Sequence, residues 1–174
     1  SRNMHPADTE ALYFKGLALK AMGKLKEAYD ALAMAAWDYG FISAANYEMA
    51  LLDCLNHNFD EAIEKLDASL KYNTDHTKAS NLKAVILRKL GKSTDAQDIL
   101  EKVRAYDPLD MYSAVEMLNF GGSPKDLNEI FGKKPENYLD VAYDYIAAGF
   151  YHEAINVLEM SQHEYPLYDY VKAY

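Results

Sequence analysis

The chain has 174 residues, half of them apolar, and carries a formal net charge of -9 with a pI near 5.0. That length suits about one domain with a buried core, the apolar share excludes a disordered tail, and the acidity repels phosphate backbones and anionic membrane surfaces, which argues against nucleic-acid binding. A single cysteine, Cys54, excludes a disulfide framework and a cysteine-rich zinc site; no apolar run reaches the ~18 residues of a membrane span, and residues 1 to 8 lack a signal-peptide core, so a cytoplasmic location is expected.

The abundance of Ala, Leu, Lys and Glu beside only 5 Pro and 8 Gly predicts an all-α chain. In chain order, a first unit over 9–42 turns at Gly23 and ends near Gly40. A second over 43–76 turns at His57 and ends near Thr74, and a third over 77–108 turns at Gly91 and ends at Pro108. Glycine at the turn supplies the left-handed conformation that closes a helix, and His57 is the exception. Residues 109–134 read as a shortened unit: one helix over Met111 to Phe120, a turn at Gly121-Gly122, then barely two turns from Pro124 to Phe131. Ser123 is placed to cap that second helix, with Pro124 at its first position and Asp126 at its positive end. A further unit over 135–166 turns at Gly149, and Pro166 opens an apolar, aromatic helix over 167–174 that has no stop signal. The chain is therefore expected to be a piece of a larger protein.

The units repeat in register. Ala28, Ala62 and Ala96 are 34 residues apart, and Ala154 follows 58 residues after Ala96, one period plus 24. Small residues Gly16, Ala50, Ala84 and Ala142 face them from the first helix of each unit, and Leu32, Leu66, Leu100 and Leu158 recur as core, followed by Ala35, Ser69, Val103 and Ser161. This register resembles the tetratricopeptide repeat family over 9–108 and 135–166, although the family's usual tryptophan is replaced by Leu12, Asn46, Ser80 and Tyr138. The resemblance implies a right-handed α-α superhelix, a solenoid of antiparallel helix pairs. The segment from Asn137 to Ala154 is also similar to repeats of large bacterial proteins in which a β-rich, carbohydrate-associated domain precedes such units.

In this family the first helix of each unit lines a concave groove that holds a peptide or partner protein. Carried over, the groove residues are Tyr13, Leu17, Tyr47, Leu51, Lys78, Asn81, Arg88, Leu139 and Tyr143. The tyrosines suit a contact surface, or pack against the next unit; Lys78 and Arg88 could meet an acidic segment, or balance neighbouring carboxylates. A chaperone-type carboxylate clamp is not expected, because Tyr13, Leu17, Glu48 and Leu82 stand where the donors would be and Lys78 alone matches. The alternative function is an architectural arm attached to a carbohydrate-active or carbohydrate-binding domain, with self-association through 167–174.

Nothing in the sequence carries catalysis. The histidines His5, His57, His76, His152 and His163 are scattered, and His152-Glu153 lacks the second zinc ligand because Asn156 holds its place. Phosphate-binding glycine loops, a nucleophile elbow and a dinucleotide fingerprint are missing. The expectation is a non-enzymatic interaction module with no cofactor and no metal, a protein or peptide as partner, and neither nucleic acid nor membrane.

Overall fold

The computed structural model describes residues 6–132, 134–161 and 166–173. Its helices are α1 (Pro6–Ala21), α2 (Leu25–Ala35), α3 (Ile42–Leu55), α4 (Phe59–Tyr72), α5 (Thr77–Lys89), α6 (Ser93–Tyr106), α7 (Met111–Met117, continued by a 3-10 turn over Leu118–Phe120), α8 (Pro124–Phe131), α9 (Pro135–Ala147), α10 (Tyr151–Met160) and α11 (Pro166–Ala173). Among the described residues every regular element is helical, as composition predicts. The helices gather into two compact units, Ser1–Ile86 and Leu87–Tyr174.

One turn is built five times among the described residues, one copy being at Gly121 (φ 86°), where Gly121 donates to Leu118 and Gly122 to Met117. Gly23, His57, Gly91 and Gly149 take φ of 73°, 59°, 77° and 76°, and the next residues Lys24, Asn58, Lys92 and Phe150 return to φ near that of an extended chain start, between -85° and -90°. In each copy the left-handed residue donates to a carbonyl three residues back and its successor to one five residues back, as in Gly23 to Lys20 at 3.0 Å and Lys24 to Leu19 at 2.9 Å. These bonds satisfy the last carbonyls of the helix and need no side chain. His57 performs the same turn with a Cβ in the way, the one non-glycine residue at positive φ among those described. The second helices end differently: at Asn73 and Asp107 the side-chain oxygen accepts from the amide two residues on, at 3.2 and 3.0 Å.

In unit 1, Leu19, Ala28, Ala31, Leu32, Met49 and Leu52 form the core where α2 packs between α1 and α3. A Cβ on Gly16 would lie 2.7 Å from Leu32 Cγ, so the small residue is what lets α1 approach α2. The same register buries Ala62 and Leu66 completely in α4. Each fully buried leucine contributes about 1.5–3 kcal/mol relative to exposure.

In unit 2, α9 packs with α10 and α7 contacts α6, α8 and α9. Asp110 caps α7, its Oδ1 accepting from the Ser113 amide at 2.7 Å. The two-turn α8 is held by Leu127 and Phe131, one helical turn apart and buried, with Phe131 against Tyr138 at 4.4 Å between ring centroids. The side chains of Pro124 and Asp126, expected to start α8, lie outside the described residues, as do His5, His163 and Tyr174. In α11, Tyr168 is buried and donates to the Pro135 carbonyl at 2.8 Å, while Leu167 and Tyr170 are exposed. The helix expected to be an uncovered end thus turns one of its aromatics inward.

Candidate functional site

Within unit 1, α1 and α3 place Tyr13, Leu17, Lys20, Tyr47 and Glu48 in one neighbourhood. Tyr13 packs its ring against Phe41 at 5.3 Å and Phe14 at 5.5 Å, and its phenol is raised by burial and then by the Glu48 charge. Glu48 is bound by Lys20, Nζ to Oε2 at 2.6 Å, with both side chains mostly covered. The carboxylate that would repel an anionic ligand is therefore already neutralised. Tyr13, Leu17 and Tyr47 are half-buried and Lys78 is exposed, so all four keep surface to offer.

Tyr47 rests on His76, 4.8 Å between ring centroids. His76 precedes α5 and its Nδ1 lies 3.0 Å from Ser69 Oγ of α4 and 3.5 Å from Ser43 Oγ of α3, the two hydroxyls being 3.1 Å apart. Burial pushes the imidazole below its ordinary 6.5, Lys78 pushes in the same direction, and Glu48 opposes them. This cluster was not legible in the scattered histidines. A signal was present in Ser69, which with Ser161 puts a hydroxyl in a column otherwise filled by Ala35 and Val103, because a fully buried serine needs a partner.

Leu51 and Asn81, expected in the groove, are 3 % and 1 % exposed. The middle helices of an array are flanked by a helix on more than one side, so the stripe that would be open on an isolated helix is covered. Cys54 is buried beside them, and burial with the Asp53 charge pushes its thiol up to about 12. On the α2 side of α3, Asp53 is itself raised by burial and faces the Tyr29 hydroxyl at 3.5 Å, which is pushed up to about 12 by burial and by Asp53.

Unit 2 contains Arg88, Leu139 and Tyr143. Arg88 is paired with carboxylates of its own unit. Its Nε bonds Glu116 Oε2 at 2.8 Å and its Nη2 bonds Oε1 at 3.2 Å, a bidentate pair in which Glu116 is 1 % exposed. Tyr145 donates its hydroxyl to the same carboxylate and stacks on Tyr112 at 4.5 Å; burial and then Glu116 raise that phenol far above the usual range. Arg88 Nη2 also lies 3.6 Å from Glu153, which Lys89 grips at 2.5 Å while lying over the Phe150 ring. Burial alone would raise the Glu153 carboxyl, but the Lys89 bond and the two cations outweigh it and hold it below the carboxylate range. Balancing neighbouring carboxylates, one of the two roles read from the sequence for Arg88, is what the geometry shows. Leu139 is buried, and Tyr143 is half exposed on α9.

Among the described residues no group of three or more His, Cys, Asp or Glu side chains could hold a metal ion, and no helix is long and apolar enough to cross a membrane.

These observations define an all-α, tetratricopeptide-like array of antiparallel helix pairs. Residues 49–120 match the family model for the Psidin N-terminal TPR repeats region, a stretch that takes in the first helix of the shortened unit. Among solved structures, MamA residues 41 to the end from Desulfovibrio magneticus RS-1 is 18 % identical with a TM-score of 0.62, covering 90 % of this chain and 97 % of that one. A second crystal structure of MamA is 14 % identical with a TM-score of 0.62 over 87 % of this chain and 88 % of that one, and MamA of AMB-1 is 17 % identical with a TM-score of 0.56 over 90 % and 91 %. At these identities the likeness is one of fold. No curated protein sequence matches. The matches concern helical repeats and lend no support to an adjoining β-rich, carbohydrate-associated domain.

Proposed function

We propose that this chain is a non-catalytic interaction module that holds a peptide or a segment of a partner protein against the first helices of its repeats. The observation that carries the proposal is the arrangement on unit 1: two part-exposed tyrosines, Tyr13 and Tyr47, beside a Lys20–Glu48 pair that is already neutral, with Lys78 exposed nearby. Tyrosines offer large contact area with few rotatable bonds, and an internally paired carboxylate adds no net charge for a partner to overcome. Leu17 extends the surface on α1. On unit 2, Tyr143 offers a separate contact, while Leu51, Asn81, Leu139 and Arg88 shape the helices that present these residues.

The test is capture of proteins from the source cell by the intact chain and by Tyr47→Ala and Tyr143→Ala. Both substitutions should abolish or sharply reduce capture of a specific band while the melting temperature falls by no more than a few degrees. Undiminished capture by both variants refutes the assignment. A second reading, self-association, draws on the exposed Leu167 and Tyr170 of α11. It requires a dimer in light scattering that Tyr170→Glu dissociates, and a monomer at high concentration excludes it.

A further inference from the structure

The turn between α2 and α3 carries two aromatic side chains that the fold leaves outside: Trp37 is 86 % exposed and Tyr39 80 %. The turn itself is well tied. Ala36 and Phe41 anchor its two ends, the first against the core of unit 1 and the second on the Tyr13 ring. Between them the Trp37 and Asp38 amides donate to the Met34 and Ala35 carbonyls, those of Phe41 and Ile42 to the Asp38 carbonyl, and the Gly40 amide to Asp38 Oδ1 at 2.8 Å. Tyr39 stands edge-on to Tyr72 at the end of α4, 5.7 Å between centroids with the planes at 85°, so the two rings form a corner. Lys71 Nζ lies 5.7 Å from the centroid of the Tyr72 ring. The repeat does not ask for these aromatics: one and two periods on, its register puts Lys71 and Ala105 at the Trp37 position and Asn73 and Asp107 at that of Tyr39.

We propose that Trp37, Tyr39 and Tyr72 form a second docking surface, besides the first-helix face, and that its occupant is a proline-rich segment in the extended left-handed polyproline conformation. Shape, hydrogen bonding and charge each select that occupant. Proline rings pack on aromatic faces, and such a segment is stiffened in advance, so little chain entropy is lost on docking to a turn that is itself preorganised. A run of prolines has carbonyl acceptors and no N–H donors. The turn offers the matching donors, the Trp37 indole N–H and the Tyr39 hydroxyl, neither of which has a hydrogen-bond partner among the described residues. The charged side chains of the turn and of the last turn of α4 are Asp38 and Lys71, one of each sign, which suits a segment that carries no charge. Asp38 lies between the two exposed rings in sequence, and insertion of the turn into a lipid surface would strip water from that carboxylate as well.

Trp37 is the single tryptophan, so the emission of the full chain reports on this surface directly. Titration with a synthetic decaproline peptide should move that emission to shorter wavelength and saturate, while a Gly-Ser peptide of the same length leaves it in place. Tyr39→Ala should weaken the decaproline titration by about tenfold, the loss of one contact ring. Its melting temperature should stay close to that of the parent, because the ring is exposed. Tyr47→Ala, on the first-helix face, should titrate like the parent; a lost titration there would overturn the assignment of a second surface. A titration that never saturates, an equal response to the Gly-Ser peptide, or parent-like affinity in Tyr39→Ala overturns the proposal. So does an emission shift produced by rising protein concentration alone, which assigns the surface to a second copy of the chain. A shift produced by phosphatidylcholine vesicles and not by decaproline overturns it in favour of a lipid surface.

Discussion

The buried carboxylate of unit 2 offers the strongest quantitative test. Arg88→Met leaves Glu116, 1 % exposed, with the Tyr145 hydroxyl still donating to it. Removing one partner of a buried pair costs about 3–5 kcal/mol because the other charge stays buried. Arg88 is itself 21 % exposed, so water can reach part of the gap and the lower end, about 3 kcal/mol, is expected. For a chain of this size that corresponds to a fall of about 6–12 °C in melting temperature. Glu116→Leu added to Arg88→Met removes the orphaned charge and should recover part of the loss, since Lys89 still holds Glu153 while the buried Tyr145 hydroxyl loses this acceptor. Tyr145→Phe removes one bond to a charged group, worth about 1.5–3 kcal/mol. Thermal and urea unfolding followed by far-UV circular dichroism measures all three; the single tryptophan, Trp37, is 86 % exposed and reports poorly on the core. An Arg88→Met protein within about 1 kcal/mol of the parent, or a double variant no more stable than Arg88→Met, would refute this account of the network.

His57→Gly should stabilise the protein by about 0.5–1 kcal/mol, read from urea midpoints, because φ of 59° strains a side chain that the equivalent glycines Gly23, Gly91, Gly121 and Gly149 do without. Loss of stability would mean that the contact between the His57 and Phe59 rings, 6.0 Å between centroids, outweighs the backbone strain. Gly16→Ala should destabilise by about 1–3 kcal/mol, since its methyl would sit 2.7 Å from Leu32 Cγ; a neutral effect in thermal melts would show that α1 can shift away from α2. Cys54, buried and with its thiol pushed up to about 12, should resist a thiol-specific reagent at neutral pH and react at once in urea; rapid labelling of the native protein would contradict its burial.

The repeat was readable because it is a local and periodic property. Alanines 34 residues apart, glycine at the helix-helix turn and leucine in the following helix each impose a backbone or packing constraint wherever they occur, and the structure places Ala28, Ala62, Ala96 and Ala154 in the core accordingly. Even the departure was visible: His57 stands in a glycine column, and it adopts the glycine conformation. The shortened unit was legible from Gly121-Gly122 and the few apolar residues that follow.

The sequence by itself therefore determined an all-α chain of helix pairs, the residues that face one another within each pair, and the lack of any recognisable catalytic motif, because all of these follow from spacing along one strand of text. Only the tertiary structure decided which polar side chains meet. Arg88 and Glu116 are 28 residues apart and Tyr145 lies a further 29 along, so no periodicity links them, yet three helices bring them onto one carboxylate. His76 likewise became a partner of Ser69 and Ser43, and Lys20 of Glu48, through contacts between elements. Charge pairing depends on distance and burial, which a helical register fixes only within its own helix.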